Sequence, residues 1–166
     1  MNGGYSSGVA DDLDALNDLY NRDVLQTPVT FDVEPIGMDS RREWFTHYAE
    51  RGRHRLLVAV EDGRLVGYTT SSPWRPKHAY ETSVETSVYV APGSTGRGIG
   101  SPLYTALFKA VAREDVHRAY AGITQPNPAS VALHERFGFR LVGIFAEQGR
   151  KFGRYWDVAW YEKLLE

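Results

Sequence analysis

The segment from Val84 to Leu107 constrains the fold more than any other part of the chain, because it joins two periodic patterns through a glycine-rich turn. Residues 84–90 are rich in β-branched and aromatic side chains, which is typical of a strand. Apolar residues recur at helical spacing from Ile99 to Val111, which predicts a helix buried along one face. Glycines at positions 93, 96, 98 and 100 separate the two patterns. Such a strand–turn–helix unit can bind a phosphate through backbone N–H groups at the helix N-terminus.

The glycine spacing alone does not identify the ligand of this turn. A dinucleotide-binding fingerprint has a different third spacing, and a P-loop ends in Gly-Lys followed by Ser or Thr, which this turn lacks. A flexible turn without a ligand explains the glycines equally well. The central position of the turn, with the cation of Arg97 inside it, favours a phosphate site.

Composition limits the classes of protein to which this chain can belong. Its 166 residues are 42% hydrophobic and 24% charged, which predicts one soluble globular domain over residues 1–166. A net charge of −2 argues against a nucleic-acid or anionic-membrane partner. The absence of cysteine excludes disulfides and a cysteine nucleophile and fits a cytoplasmic protein. We expect no metal, because the histidines lack metal-ligand spacing, and no membrane span.

The remaining segments predict a mixed α/β sheet in the element order β-α-α-β-β-β-α-β-α-β-β. Asp62-Gly63 predicts a hairpin, Asn127-Pro128 begins a helix, and Gly138 ends it. Residues 1–8 are small and polar, and we expect them to be flexible. The further helices are predicted at 11–24, 40–51 and 127–137, and the further strands at 56–61, 65–71, 118–124, 139–147 and 155–163.

Several motifs occur together: Tyr89-Val90-x-Pro92, Gly96-Arg97-Gly98-Ile99-Gly100, Pro126-Asn127-x-Ala129-Ser130 and Leu133-His134-Glu135-x-x-Gly138-Phe139. In this combination the sequence resembles the GNAT superfamily of acetyl-CoA-dependent N-acetyltransferases. Four more motifs are similar to its phosphinothricin N-acetyltransferase branch: Thr27-x-x-Thr30-Phe31, Pro73-Trp74-Arg75, Val84-Glu85-x-Ser87-Val88 and Lys151-Phe152-Gly153-Arg154. The resemblance covers roughly residues 9–160 and implies a mostly antiparallel GNAT-type sheet flanked by helices.

The resemblance also implies acetyl-CoA as co-substrate, with its pyrophosphate on the glycine turn and its pantetheine arm along strand 84–90 as an added strand. The superfamily usually has Gln or Arg three residues before Gly98, where this sequence has Thr95. That departure removes one expected phosphate contact and leaves the backbone contacts in place. The residues implied to bind acetyl-CoA are Val88, Tyr89, Val90, Thr95, Gly96, Arg97, Gly98, Ile99, Gly100, Ser101, Asn127 and Ser130.

Acetyl transfer to an amine needs a base for the amine proton and an acid for the departing thiolate. Glu85 lies mid-strand and faces either solvent or a cleft, so an ordinary exposed glutamate is the alternative. The resemblance implies that Glu85 is the general base, acting directly or through water. For His134, residue types alone favour a half-buried, hydrogen-bonded histidine, whereas the resemblance implies an acid that protonates the CoA sulfur.

The acceptor is implied to be a small amino-acid-like amine of the phosphinothricin, methionine sulfoximine or methionine sulfone type. Two cations beside aromatic residues suit an anionic ligand, although a solvated basic loop is the alternative. The implied binding residues are Thr30, Phe31, Trp74, Arg75, Lys77 and Tyr80. The resemblance also implies direct transfer in a ternary complex and a homodimer. Two rival functions stay open: acetylation of a polyamine, aminoglycoside or protein N-terminus, and a non-catalytic acetyl-CoA-binding module.

Overall fold

A computed structural model describes residues 3–165 of the chain, and within them seven strands form one sheet. The strands are β1 (Gly3–Ser7), β2 (Arg55–Glu61), β3 (Arg64–Pro73), β4 (Ser83–Val90), β5 (Arg118–Thr124), β6 (Arg140–Lys151) and β7 (Arg154–Leu164). The α-helices are α1 (Leu13–Gln26), α2 (Met38–Phe45), α3 (Gly100–Val111) and α4 (Pro128–Arg136). The sheet order is β1-β2-β3-β4-β5-β7-β6, and only β4 and β5 are parallel. The predicted mixed, mostly antiparallel sheet flanked by helices is confirmed.

Both faces of the sheet are covered, because side chains alternate along each strand. In β2, Leu56 and Val58 pack in a cluster with residues of α1, whereas Leu57 packs in a second cluster with residues of α3. In β4, Val84 is fully buried on the α3 side. Glu85 consequently lies on the opposite face, as its position in the strand predicted.

The structure differs from the sequence-based expectations in two places, at the N-terminal residues 3–7 and at the end of helix α2. Residues 3–7, expected to be flexible, form β1, which pairs with β2; residues 1 and 2 of that segment lie outside the described residues. This edge strand is held by backbone hydrogen bonds to β2 and does not need apolar side chains. Its small and polar residues therefore show no apolar pattern that would predict a strand. Helix α2 ends at Phe45 and not at the predicted Arg51. Just after Phe45, the Thr46 hydroxyl donates to the Glu43 carbonyl at 2.6 Å and so competes with the helical hydrogen bonds.

The most consequential feature of the sheet is a separation between β4 and β5. The two strands are in register only from Ser83 to Glu85, opposite Arg118 to Tyr120. Beyond Glu85 the structure pairs β4 with β3 alone, while β5 pairs with β7 along its whole length. One edge of residues 86–90 therefore faces an opening rather than a neighbouring strand.

Candidate active site

A cavity of about 570 Å³ opens where β4 and β5 separate. Its walls are residues 86–90 of β4, residues 121–124 of β5, the glycine turn, one face of α4 along its whole length, and the C-terminal part of α1 with the loop after it. Every residue that the sequence analysis assigned to acetyl-CoA lines it, with the single exception of Arg97. The structure thus brings together a free strand edge and a helix N-terminus in one cleft.

The glycine turn leaves four consecutive backbone N–H groups without a backbone partner. Gly96 and Gly98 adopt left-handed conformations, with φ angles of 76° and 81°, which disfavour residues with a Cβ. The Arg97 N–H, before these four groups, bonds to the Ser94 carbonyl at 3.3 Å, and the next N–H after them to find a carbonyl is that of Leu103, which bonds to Ile99 at 3.3 Å. Among the described residues, no backbone carbonyl accepts the N–H groups of residues 98–101. Donors of this kind at a helix N-terminus are suited to a phosphate.

The side chains of Thr95 and Arg97 do not supply charge to this cavity. The Thr95 hydroxyl donates to the Pro92 carbonyl at 2.5 Å, and the Arg97 guanidinium lies 3.0 Å from the Glu61 carboxylate. The cations that line the cavity are Arg22 of α1 and Arg136 of α4, neither of which belongs to a motif that the sequence analysis used. Residue spacing alone could not indicate that α4 ends beside α3.

Arg136 lies beside the start of α3, next to the free N–H groups of the turn. Its Nη1 donates to the Ser101 hydroxyl at 3.1 Å, at the start of α3. The side chain is exposed, so it can turn towards an anion without a large cost in desolvation. Arg136 therefore provides positive charge at the N-terminus of α3.

His134 is buried in a closed hydrogen-bond network at the floor of the cavity. Only 3% of the residue is exposed. Its Nδ1 lies 2.7 Å from the Ser130 carbonyl, so Nδ1 carries the proton of the neutral ring, and Nε2 accepts from the Tyr104 hydroxyl at 2.7 Å. Burial lowers the pKa of His134, and the hydrogen bond to Ser130 raises it by less. Asn127 caps α4 as predicted, accepting the Ser130 N–H at 3.1 Å.

A second cavity, of about 370 Å³, lies on the opposite face of the sheet against α1 and α2. It shares Ser87 and Tyr89 with the first cavity, so the two meet along β4. Glu85 lines the second cavity. Burial raises the pKa of Glu85, and the charge of Arg75 lowers it by less. A carboxyl group with this environment is a candidate proton acceptor.

The walls of the second cavity combine charges with phenols and hydroxyls: Tyr20, Asp32, Ile36, Ser40, Arg41, Trp44, Tyr48, Tyr68, Thr70, Ser72, Glu85, Ser87 and Tyr89. The Tyr20 hydroxyl donates to the Asp32 carboxylate, and burial together with this bond raises the pKa of Tyr20 to about 12. The Tyr48 and Ser72 hydroxyls are 2.7 Å apart. Of these residues, sequence reasoning selected only Glu85 and Tyr89.

None of the six residues predicted to bind the acceptor lines this cavity. Thr30 is close, since its hydroxyl lies 2.7 Å from that of Tyr20 and its carbonyl accepts from Lys151 at 2.7 Å. The Phe31 ring lies directly over Gly149 and leaves no room there for a Cβ. Trp74 stacks on Tyr120, with ring centroids 4.5 Å apart.

The predicted basic loop is exposed. Arg75 lies over the Trp74 ring at 4.7 Å, and Lys77 and Tyr80 face solvent. Arg75 nevertheless acts on the site through its charge, because it stabilises the ionised form of Glu85.

Residues 3–165 lack two further features. Those residues contain no group of three or more His, Asp or Glu side chains placed to hold a metal ion. None of their helices is long and apolar enough to cross a membrane.

Comparison with known proteins gives matches over nearly the whole chain. The family described as "Acetyltransferase (GNAT) domain" matches residues 8–160. The phosphinothricin N-acetyltransferase of Streptomyces coelicolor is 62% identical over 95% of this chain and 94% of its own length. The L-methionine sulfoximine/L-methionine sulfone acetyltransferase of Pseudomonas paraeruginosa is 33% identical over 96% of this chain and 92% of its own. A GNAT superfamily phosphinothricin acetyltransferase from Sinorhizobium meliloti, solved in complex with AcCoA, aligns with a TM-score of 0.93 at 30% identity, over 99% of this chain and 89% of that one.

Proposed function

Because the chain belongs to the GNAT family of acetyltransferases, we propose that it transfers the acetyl group of acetyl-CoA to the α-amine of a small amino-acid-like acceptor. The relatives named for phosphinothricin and for methionine sulfoximine or sulfone support this acceptor class. The observation that carries the proposal is the junction of the two cavities at Ser87 and Tyr89. A thioester in one cavity and an amine in the other would meet across β4, so transfer is direct and in a ternary complex.

The residues of the first cavity fit acetyl-CoA. The N–H groups of residues 98–101 have no backbone acceptor and suit a pyrophosphate, which needs several donors at once. The free edge of residues 86–90 suits the amides of the pantetheine arm, which would add to the sheet as a strand. The Val88 N–H is our candidate for polarising the thioester carbonyl, and Asn127 and Ser130 approach the same arm from α4.

Glu85 is the proposed general base. Its burial raises the pKa, which makes the carboxylate a better proton acceptor than an exposed glutamate. The group lies in the second cavity, where the acceptor amine would bind. Glu85 would take the ammonium proton, directly or through one water, and leave a neutral amine to attack the thioester.

His134 is the weaker candidate for the acid that protonates the departing thiolate. The single proton of the neutral ring is donated to the Ser130 carbonyl, and burial lowers the pKa of the ring. A proton for sulfur would then have to come from a second protonation of the ring or through the Tyr104 hydroxyl. We therefore propose that His134 mainly positions the floor of the cavity.

We also propose that the enzyme acts as a cytoplasmic homodimer. Acetyl-CoA is an intracellular thioester, which supports the location. The outer edge strand β6 exposes a run of apolar side chains, and a long apolar edge favours association. The members of this run, Leu141, Val142, Ile144 and Phe145, are each 47–59% exposed. Light scattering after size-exclusion chromatography would test the dimer, which a single-chain mass of 18.7 kDa would contradict.

The proposed function is tested by release of free thiol from acetyl-CoA with a panel of amines. The panel contains phosphinothricin, methionine sulfoximine and methionine sulfone, with spermidine, an aminoglycoside and an N-terminal peptide as the rival acceptors. We expect thiol release with the amino-acid analogues, and N-acetylated products by mass spectrometry. Release with spermidine, the aminoglycoside or the peptide alone would favour a rival acetyltransferase. Binding of acetyl-CoA with no release for any amine would favour a non-catalytic module.

A further inference from the structure

Arg41 of α2 is a buried cation to which the structure assigns no counterion. The residue is 3% exposed, and its Nε donates to the Asn17 side-chain oxygen at 3.0 Å. Its guanidinium lies between two aromatic rings, 4.7 Å from the Tyr20 centroid and 4.5 Å from the Trp44 centroid. Within residues 3–165, no carboxylate forms a salt bridge with it.

A buried guanidinium without a carboxylate is unusual, because burying a charge is costly unless it is paired. Three of the four half-buried arginines follow the rule: Arg22 is paired with Asp23, Arg53 with Asp115 and Arg118 with Glu162. The fourth, Arg55, has no salt bridge within residues 3–165, but it is less buried than Arg41 and does not line the second cavity. For Arg41, one hydrogen bond and two ring faces compensate only part of the lost hydration. The two terminal nitrogens form a planar fork of donors to which residues 3–165 offer no hydrogen-bond acceptor.

The location of this fork indicates what it binds. Arg41 lines the second cavity, together with the carboxylates of Glu85 and Asp32. A site with one cation and two carboxylates complements a zwitterion, which carries both an ammonium and a carboxylate. Arg75 and Lys77, the cations that the sequence analysis selected, do not line this cavity.

We propose that Arg41 binds the α-carboxylate of the acceptor and so determines that the enzyme acts on amino acids rather than on simple amines. This inference rests on the proposed function. The α-carboxylate is a better partner for the Arg41 guanidinium than the side-chain head group of the acceptor is. A sulfone head group carries no charge, whereas every α-amino acid carries the carboxylate. The fork of a guanidinium matches a carboxylate in two parallel hydrogen bonds.

Within the second cavity, Arg41 would fix the carboxylate of the acceptor and Glu85 would accept the proton of its amine. Asn17, Tyr20 and Trp44 hold the guanidinium in place before the acceptor arrives, so little side-chain entropy is lost on binding. The amine of an α-amino acid is separated from its carboxylate by a single carbon. Fixing the carboxylate at Arg41 therefore restricts where the amine can lie, and Glu85 is the base in the same cavity.

The test compares methionine sulfone with its α-carboxamide, which keeps the amine and the head group and removes the negative charge. Arg41→Met preserves an unbranched side chain and removes the fork. We expect its KM for methionine sulfone to rise about 10- to 100-fold, the usual effect of losing a charge-assisted hydrogen-bonded pair. The KM for the carboxamide and the KM for acetyl-CoA should stay within about twofold.

Arg42→Met is the matched control, since Arg42 is the next residue on α2, is exposed and pairs only with Asp39 at the surface. Its ratio of kcat/KM for acid over amide should equal that of the wild type. Arg41→Lys keeps the charge without the fork and should lose part of the preference for the acid over the amide. This variant keeps the test decisive if Arg41→Met folds poorly. Circular dichroism and acetyl-CoA binding report folding independently of activity.

The outcomes separate the inference from the proposed function. If Arg41→Met or Arg41→Lys slows the acid and the amide equally, Arg41 supports packing only and the inference is wrong. An unchanged preference for the acid in both variants also overturns it. If the wild-type enzyme releases no thiol with any amino-acid analogue, the proposed function itself fails, whatever the variants do.

Discussion

Glu85→Gln should have opposite effects on turnover and on stability. The amide keeps the size of the side chain but cannot accept the ammonium proton. Loss of a positioned general base lowers kcat by about 100- to 10,000-fold, which corresponds to about 3–5 kcal/mol of activation free energy. The acetyl-CoA dissociation constant should be nearly unchanged, because Glu85 lines the second cavity and not the first.

The stability effect follows from the pKa of Glu85. Burial raises this pKa in the folded protein above its unfolded value, and Arg75 reverses only part of the shift. The folded state therefore binds the proton more tightly, so the stability present below the unfolded pKa is lost as pH rises through the folded pKa. Glutamine has no charge to bury, so the variant should have a higher Tm than the wild type at pH 7–8. The difference should vanish near pH 4.

Two assays test this prediction, thiol release across pH and thermal melting at the same pH values. Wild-type kcat/KM should fall at acid pH through a group whose pKa lies above the ordinary glutamate range, and Glu85→Gln should lack that limb. Glu81→Gln is the matched control, because Glu81 is exposed and near in sequence. A Glu85→Gln enzyme with full turnover and an unshifted pH profile would refute the base assignment. A lower Tm at pH 8 would refute the argument from burial.

Three further predictions concern the acetyl-CoA cavity. Arg136→Met should raise the KM for acetyl-CoA up to about fivefold and weaken its dependence on salt, as expected for an exposed ion pair; an unchanged KM and salt dependence would exclude a phosphate contact. Gly98→Ala should raise the KM for acetyl-CoA and lower stability by about 1–2 kcal/mol, because φ is 81° there; Gly93→Ala, at a position with open space for a Cβ, is the control, and equal effects would contradict the reasoning. His134→Phe should lower kcat by less than about tenfold, below the roughly 100-fold minimum expected for a proton-transfer group; a loss as large as that of Glu85→Gln, with the alkaline limb of the pH profile removed, would instead establish an acid.

Local chemistry made much of the fold predictable from the sequence. Asp62 and Gly63 both have positive φ angles, as their hairpin required, and β5 has the predicted bounds. The glycine turn and the Asn127 cap were predictable because each depends on residues close together in the chain. The free edge of β4 depends on its separation from β5, and only the family resemblance indicated it. The predicted element order begins with a strand, as observed, but the residues of β1 could not be assigned, since β1 depends on pairing with β2 and carries no periodic apolar pattern of its own.

The second cavity was harder to predict, because its walls come from five separate segments: Tyr20 from α1, Asp32 from the loop after it, Arg41 from α2, Ser72 from β3 and Glu85 from β4. Sequence spacing indicates which face of an element a residue occupies but not which element packs against it. One signal was available for Arg41. It lies three residues before Trp44, on the inward face of a predicted helix, and a charge on such a face indicates either a buried partner or a ligand.

The central claim, direct transfer between substrates bound in two cavities that meet at β4, is tested most directly by the initial rate of thiol release at varied acetyl-CoA and methionine sulfone. Direct transfer predicts intersecting double-reciprocal lines, N-acetylated methionine sulfone as product, and no thiol release without the acceptor. Parallel lines, with a burst of thiol and a protein heavier by one acetyl group in the absence of acceptor, would contradict it.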